Sequence, residues 1–347
     1  MLAGWTYASN RWFFSGEIRL LLAIPIYLYL RRIPEIWKWL LYGIPIGAIM
    51  IGLTGIIDFS IRYYNGDVEM IIAEGIYGHI YQGNISALLS VLSFAAFEYF
   101  KHHKHMRMIC LVGAFIAAMG ALVSVTRNAW LSLILLYMLV FIMQGGVRKI
   151  VQSLGVRKIA AMAAILVPVM YFFSGIEFLS DRLTQVYKEP VAYFTADRSK
   201  TLEYTSIGVR FEQWRGGMIA FSEKPLLGHG VGNIGKVNNR YIREGKVNDL
   251  IYNADAENQG RPAHIHSAYF EFLADTGIVG FVLLILLIYY APFVAFKARK
   301  YDGIAWKFVV LHGVGFGIAS LTEVPFIRNK WTSVFLILEI VLFLWLM

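Results

Sequence analysis

Two histidines near the carboxyl end of the chain lie where a proton could be taken from a substrate. His264 and His266 close a long polar stretch, and the sequence from Ala268 onwards is strongly apolar. Imidazole is suited to general base catalysis because it ordinarily titrates close to neutral pH. His266 lies closer to the apolar segment, so we predict it as the base and His264 as a substrate-binding neighbour.

The same histidines raise the alternative of a metal site. A metal would need a third ligand, for which Asp255 and Glu257 are the nearest candidates. The spacing is too loose to match a metal-binding motif. The sequence therefore predicts no metal.

A glycine-rich turn formally matches a dinucleotide-binding fingerprint at Gly230, Gly232 and Gly235. No strand is predicted before it and no strand–helix–strand unit surrounds it, so the match is weak. Glycines that form a tight turn against other backbone explain the pattern better. We predict no cofactor.

Three arginines could bind an anion. Arg127 stands between two apolar blocks with almost no loop, where a guanidinium would meet phosphate oxygens at headgroup depth or simply reach the interface. Arg210 and Arg215 lie in a polar stretch, where pairing with a neighbouring acid is the alternative. Glu323, at a helix end, could orient a base or a sugar, or pair with Arg328.

These residues must be positioned by membrane helices. Hydrophobic residues make up 58% of the 347 residues and charged residues 16%, against about 25% charge in soluble domains. The apolar residues form blocks of the length that spans a bilayer as a helix. We count nine such blocks, at about 17–31, 38–57, 84–100, 106–125, 129–146, 157–176, 268–295, 304–321 and 331–347.

The net charge of +9 is interpreted as membrane topology rather than nucleic-acid binding. Basic residues are concentrated in alternate joints, which predicts that those joints are cytoplasmic and that the large loop before His266 lies outside. The single cysteine, Cys110, lies in an apolar block and excludes a disulfide framework. The predicted parts are amino-terminal helices at 1–176, an external loop at 177–267 and carboxyl-terminal helices at 268–347.

The external loop is expected to be a small folded cap. Residues 208–222 predict a helix with one apolar side, made of Val209, Trp214, Met218 and Phe221. Lys224-Pro225 ends that helix, and the glycine-rich turn follows.

The ordered motifs resemble the O-antigen ligase family, with its relatives the O-antigen polymerases and protein O-oligosaccharyltransferases. The resemblance is carried from residue 84 to the end by an arginine joint (Thr126-Arg127-Asn128-Ala129-Trp130), an arginine–tryptophan helix with Pro-x-x-Gly-x-Gly (Arg210–Trp214, Pro225–Gly230) and a histidine segment ending in Gly-Ile-x-Gly (His266–Gly280). Ser267 stands where the family usually has Asn. Members commonly have about twelve spans, so we expect either that some three amino-terminal helices are absent or that this member is short.

The resemblance implies an all-α polytopic membrane protein similar to GT-C-like glycosyltransferases, in a bacterial inner membrane with the site facing the periplasm. The donor would be a glycan on undecaprenyl pyrophosphate and the acceptor a lipid A-core sugar. His266 would be the base, and Arg127 and Arg210 would bind the diphosphate, without metal or cofactor. Arg215, His264 and Glu323 would contact substrate.

Three alternatives remain open at this point. A polymerase would use a second polyprenyl-linked glycan as acceptor, and a protein O-oligosaccharyltransferase would use a protein hydroxyl. A glycolipid transporter, a different class, would need charges deep in the membrane or repeated halves. His312, within a late span, is the best residue for transport, although a packed histidine explains it better.

Overall fold

The computed structural model describes residues 14–65, 75, 78–145, 177–195, 205–254, 264–299, 303–327 and 329–347. Regular structure in these residues is helical, with no strand among them. The α-helices are α1 (Phe14–Leu30), α2 (Ile36–Tyr64), α3 (His79–Tyr99), α4 (Lys104–Val123), α5 (Arg127–Met143), α6 (Glu177–Thr195), α7 (Ser206–Glu223), α8 (Ile234–Arg243), α9 (Ala268–Ala298), α10 (Ala305–Thr322) and α11 (Asn329–Leu346). Two short 3-10 turns lie at Asp249–Ile251 and Pro325–Ile327.

The predicted all-α membrane architecture is confirmed. Eight of the nine predicted spans fall on described helices, and the remaining one, at 157–176, lies outside the described residues. By length and composition, α2, α3, α4, α9 and α10 can each cross a membrane, and α1 and α5 contain shorter apolar helical segments. The chain is therefore a multi-pass membrane protein.

By its internal contacts the chain forms two compact units. The first comprises Met1–Ile33, Tyr187–Ala291 and Phe316–Val341, and the second comprises Pro34–Val186, Pro292–Gly315 and Leu342–Met347. These units are defined by contacts between residues, whereas the predicted parts at 1–176, 177–267 and 268–347 were defined by membrane topology. The division by topology stays a prediction.

In the second unit, α2, α3 and α4 pack closely through small residues. A Cβ on Gly120 would come within 2.7 Å of the Gly52 Cα, so neither position has room for a side chain. Ser90 and Ser93 of α3 donate to the carbonyl oxygens of Ala114 and Cys110 in α4, at 2.7 and 2.8 Å. Membrane helices associate through such close approach and hydrogen bonding, because lipid provides no hydrophobic driving force between them.

In the first unit, the large loop has its own hydrophobic core, as expected for a folded cap. Tyr241, Ile234 and Ile265 are buried together, with the other members of the cluster being Ala220, Val247, Ile251 and Ala274. The predicted helix in this loop is confirmed as α7, and the Thr205 side chain caps it by accepting from the Gly208 amide at 3.1 Å.

The predicted apolar side of α7 is wrong in detail. Met218 is 43% exposed, whereas the buried positions of the helix are Gly208, Glu212, Gly216, Gly217 and Ala220. The reason is close approach: a Cβ at Gly217 would come within 2.8 Å of the Ile265 side chain. The packed side of this helix therefore consists mainly of small residues, which a search for large apolar residues does not find.

Helix α9 is broken near its start. Gly277 has φ 64° and ψ −162°, which is not helical, although helix continues on both sides. The segment from Pro225 to Gly230 lies against the break and binds its backbone. Ile278 N donates to Pro225 O at 2.8 Å, and Gly230 N donates to Asp275 O at 2.8 Å. Backbone groups freed by the break thus find partners within the protein, as membrane helices require.

Candidate functional site

His266 has a left-handed backbone, with φ 49°. This conformation costs a non-glycine residue roughly 1–2 kcal/mol, so neighbouring contacts must hold it. On one side, Ile265 is buried and its carbonyl accepts from Trp214 Nε1 at 3.0 Å. On the other side, Ala268 N donates to the Glu323 carbonyl at 2.9 Å. The chain is fixed on both sides of His266, whose side chain remains 35% exposed.

The Glu323 carboxylate connects two of the residues predicted from the sequence. Its Oε1 lies 3.5 Å from His266 Nδ1 and 3.6 Å from a guanidinium nitrogen of Arg210. The Glu323 side chain is only 7% exposed, whereas that of Arg210 is 24% exposed. A buried carboxylate thus stands behind an imidazole and a guanidinium that both reach solvent.

This arrangement suits proton transfer next to an anion. A carboxylate beside Nδ1 holds an imidazole in one orientation and stabilises it after it takes up a proton, as in hydrolase triads. The guanidinium supplies a fixed set of donors for phosphate oxygens. The Arg328 partner considered for Glu323 lies outside the described residues.

His264 is held by a different carboxylate, that of Glu271 in the first turn of α9. Glu271 is 1% exposed, and its Oε1 lies 3.1 Å from His264 Nδ1. Its Oε2 accepts from Ile265 N at 3.0 Å. Glu271 therefore fixes the backbone directly before His266. The two histidines face different carboxylates, while the other metal-ligand candidates, Asp255 and Glu257, lie outside the described residues.

The amides of the glycine-rich turn bind a carboxylate of the protein itself. Asp275, one helical turn after Glu271, accepts from Gly232 N at 2.7 Å and from Ile234 N at 3.1 Å. A Cβ on Gly228 would overlap the Asp275 backbone. The turn is thus packed against other backbone, and its amides hold Asp275, where a dinucleotide site would offer them to a phosphate.

The same turn carries a partly buried histidine. His229 N donates to Ala274 O at 2.9 Å, and His229 Nε2 lies 3.1 Å from Ala220 O. Burial lowers the pKa of His229 below its ordinary value of 6.5, because a buried imidazolium loses hydration. The neutral ring is therefore the form that fits the fold.

Arg215 pairs with a different carboxylate from the one beside Arg210 and His266. It pairs with Glu212, one turn earlier in α7, at 3.5 Å. Glu212 is buried and also accepts from the Tyr193 hydroxyl at 2.8 Å and from Asn248 N at 3.1 Å. Pairing with a neighbouring acid, the alternative given for this arginine, is what the structure displays, and substrate contact by Arg215 stays a prediction.

Arg127 belongs to the second unit and begins α5. It donates to Gln185 Oε1 at 2.8 Å. Val125, two residues earlier, has φ 52°, and Thr126 Oγ1 donates to the His79 carbonyl at 3.1 Å. The joint before Arg127 is therefore short, strained and held by hydrogen bonds. His312, the candidate for transport, is fully buried in α10 of the same unit.

A mainly apolar cavity of about 290 Å³ adjoins the first turns of α9. Glu271 and Asp275 lie at its wall, but their described hydrogen bonds go to the protein. The remaining lining residues are Leu20, Val231, Phe272, Thr276, Gly280, Leu283, Leu284, Leu287 and Phe326.

Sequence reasoning did not select Glu271, Asp275 or Trp214 as supports of the site. One signal was present: two acids spaced four residues apart interrupt an otherwise apolar helix directly after the histidines. Such a spacing places both on one helix face. Trp214 was interpreted as part of an apolar side, yet its indole nitrogen binds the chain at Ile265.

Comparison with known proteins gives two matches. A family model described as O-antigen ligase matches residues 112–285, about half of the chain. The chain is also 25% identical over 302 residues to a Haemophilus influenzae protein described as an uncharacterized protein, a match that covers 85% of this chain and 69% of the relative. The family match includes Arg127, Arg210 and both histidines of the polar stretch before α9.

Proposed function

The chain belongs to the O-antigen ligase family, and from this membership we propose that it transfers O-antigen glycan from undecaprenyl pyrophosphate to a lipid A-core hydroxyl. Glycan transfer of the ligase or polymerase type is the activity of the family. The finer assignment of donor and acceptor is our proposal, as is a site that faces the periplasm of the inner membrane. A lipid-anchored donor and acceptor suit a multi-pass protein whose external loop is compact.

One observation carries the proposal: a single buried carboxylate, Glu323, supports both a histidine and an arginine. His266 Nδ1 and Arg210 approach the same oxygen, at 3.5 and 3.6 Å. With Nδ1 against Glu323, Nε2 is the ring nitrogen that would meet a substrate hydroxyl. A base and a cation held together in this way fit attack on a carbon that bears a phosphate leaving group.

In the proposed step, His266 Nε2 accepts the proton of the acceptor hydroxyl as its oxygen bonds to the anomeric carbon. The bond from that carbon to the pyrophosphate oxygen breaks, and undecaprenyl pyrophosphate leaves with the electron pair. Direct displacement inverts the configuration at the anomeric carbon. A positioned base contributes typically about 10²–10⁴-fold to such a rate.

The leaving diphosphate needs positive charge to stabilise it as it departs. Arg210 supplies this charge beside the base, which is electrostatic stabilisation of the transition state. Arg127 is proposed as a second cation for the diphosphate. With arginines balancing the charge, the proposed reaction uses no metal and no cofactor. His264 and Arg215 are proposed to contact the sugars, and Glu323 is proposed to orient the base His266 rather than a sugar.

The test is transfer by purified protein in lipid, supplied with a glycan on undecaprenyl pyrophosphate and a lipid A-core acceptor. His266→Ala is expected to lose about 10²–10⁴-fold of kcat, whereas His105→Ala, an exposed histidine at the start of α4, retains activity. Full activity in His266→Ala would remove this residue from its proposed role.

Arg210→Lys tests the anion contact. We expect a higher KM for the donor and a lower kcat, because an ammonium cannot reproduce the bidentate contact of a guanidinium. The matched control is Arg240→Lys, a surface arginine of α8 that pairs with Glu223. Equal kinetics for the two variants would argue against Arg210 at the diphosphate.

The choice of acceptor separates the ligase from its relatives. Transfer to lipid A-core supports the ligase. Transfer only to a second polyprenyl-linked glycan would identify a polymerase, and transfer only to a protein hydroxyl would identify an oligosaccharyltransferase. Movement of the lipid-linked donor across the membrane without any glycan transfer would identify the protein as a transporter and not an enzyme.

A further inference from the structure

Two consecutive leucines in the large loop expose most of their side chains. Leu226 is 68% exposed and Leu227 is 71% exposed. They lie in the segment that binds the break in α9, so their backbone position is fixed by hydrogen bonds. If this loop faced only water, the two side chains would expose apolar surface to solvent without contributing to the hydrophobic core.

The depth of these leucines follows from the helix to which they are bound. From Ile278 to Phe296, α9 contains 19 residues without a charge. At 1.5 Å per residue this stretch is about 28 Å long, close to the thickness of a bilayer's hydrocarbon core. Ile278 therefore marks one edge of the hydrocarbon region.

The loop segment lies at this edge. Ile278 N donates to Pro225 O at 2.8 Å, and the next amide, Val279 N, lies 3.4 Å from Leu226 O. The backbone of Pro225 and Leu226 thus has the same depth as the first apolar residues of the span. Their carbonyl groups are paired with α9, which removes the usual cost of placing loop backbone near lipid.

The first residues of the span, beside which the leucines are held, are also apolar and exposed. On α9, Ile278, Val279 and Val282 are 39, 49 and 48% exposed. Like the two leucines they are apolar and exposed, and α9 carries no charged residue from Ile278 to Phe296. Lys224, two residues before Leu226, is exposed and suited to the phosphate layer just outside the hydrocarbon.

We propose that Leu226 and Leu227 insert into the acyl chains of the leaflet that meets the amino-terminal end of the α9 span. The partner is lipid, and the large loop is therefore anchored in the membrane as well as bound to α9. This anchor holds the glycine-rich turn, which directly follows the leucines, at a constant depth. The proposal does not depend on the catalytic assignment of His266.

Spin labels on cysteine variants test the insertion in proteoliposomes. Cys110, the single and buried cysteine, is first replaced by alanine, and one label is then placed at Leu226→Cys or Leu227→Cys. Collision with lipid-soluble oxygen is compared with collision with a water-soluble nickel chelate. The lipid reference is Leu286→Cys on α9, and the water reference is the exposed Asp249→Cys.

Both loop labels are expected to favour oxygen over nickel, with ratios close to that of Leu286→Cys. A ratio at either position close to that of Asp249→Cys would overturn the insertion of both leucines. A thermal unfolding transition close to that of the unlabelled protein reports that each labelled protein is folded, so a water-like ratio in a folded variant counts against the proposal directly.

Discussion

Replacement of Gly277 by alanine should destabilise the protein more than an ordinary glycine substitution. Its backbone, at φ 64° and ψ −162°, lies in a region that residues with a side chain almost never occupy. An added Cβ would also come within 2.6 Å of Leu227 N and closer still to the Leu226 carbonyl. Both the conformation and the space therefore require glycine.

The expected cost has two main parts. The backbone conformation contributes about 1–3 kcal/mol. Relief of the overlap would move the loop and weaken the two hydrogen bonds from Ile278 and Val279, each worth about 0.5–1.5 kcal/mol. The lower entropy of unfolded alanine offsets about 0.4–1 kcal/mol. A net loss of about 3 kcal/mol follows, or an apparent Tm lower by roughly 6 °C.

Gly245→Ala is the matched control. Gly245 also has positive φ, at 66°, but a Cβ added there would meet no other atom within 4 Å. Its left-handed backbone costs roughly 1–2 kcal/mol, partly offset by the same entropy. The assay is thermal unfolding of both variants in the same detergent. Equal Tm values for Gly277→Ala and the unmodified protein, or equal losses in the two variants, would refute the argument from the break in α9.

Three further outcomes are expected. Asp275→Asn should lower the free energy of unfolding by about 2–4 kcal/mol, because the asparagine side chain has one acceptor oxygen where the carboxylate uses two, for Gly232 N and Ile234 N. The control Asp249→Asn, at an exposed position, should change it little. Glu271→Ala should lower kcat up to about 10²-fold with a smaller change in KM, through displacement of His266, and an unchanged kcat would contradict this. Because the pKa of His229 is lower in the folded protein than in the unfolded chain, protonation of this ring favours unfolding. The free energy of unfolding is therefore not reduced by His229 above pH 6.5 and falls as the pH drops below 6.5. The fall in Tm on acidification should accordingly be smaller in His229→Gln.

The membrane helices could be predicted from the sequence because one property decides them. A backbone in lipid must form its own hydrogen bonds, so an apolar block of sufficient length is a helix whatever its neighbours. The packing of α7 could not be predicted in this way. Its buried side consists of three glycines, Ala220 and Glu212, and the close approach of Ile265 to Gly217 and of Asn248 to Glu212 cannot be deduced from the sequence.

The site residues that could be predicted are those whose residue type and place in the sequence already suggest a chemical role. His266 and Glu323 were selected at helix ends and Arg210 in a polar stretch, each separately, and the structure brings these three together. The supporting residues were missed because their role is defined by their partners. The spacing of Glu271 and Asp275 marks them as unusual in an apolar helix, but their partners, Ile265 and the glycine-rich turn, are visible only in the structure.

Backbone strain marks both joints at which catalytic residues were predicted. In the described part of the chain, the non-glycine residues with positive φ are Glu35, Val125 and His266. Val125 comes two residues before Arg127, His266 is itself the predicted base, and Glu35 directly precedes α2, where no catalytic residue was predicted. A β-branched residue such as valine is especially unfavourable in this region, so hydrogen bonds around each joint must impose it. We infer that the fold uses contacts on both sides of each joint to hold one side chain in a direction that a relaxed backbone would not give it.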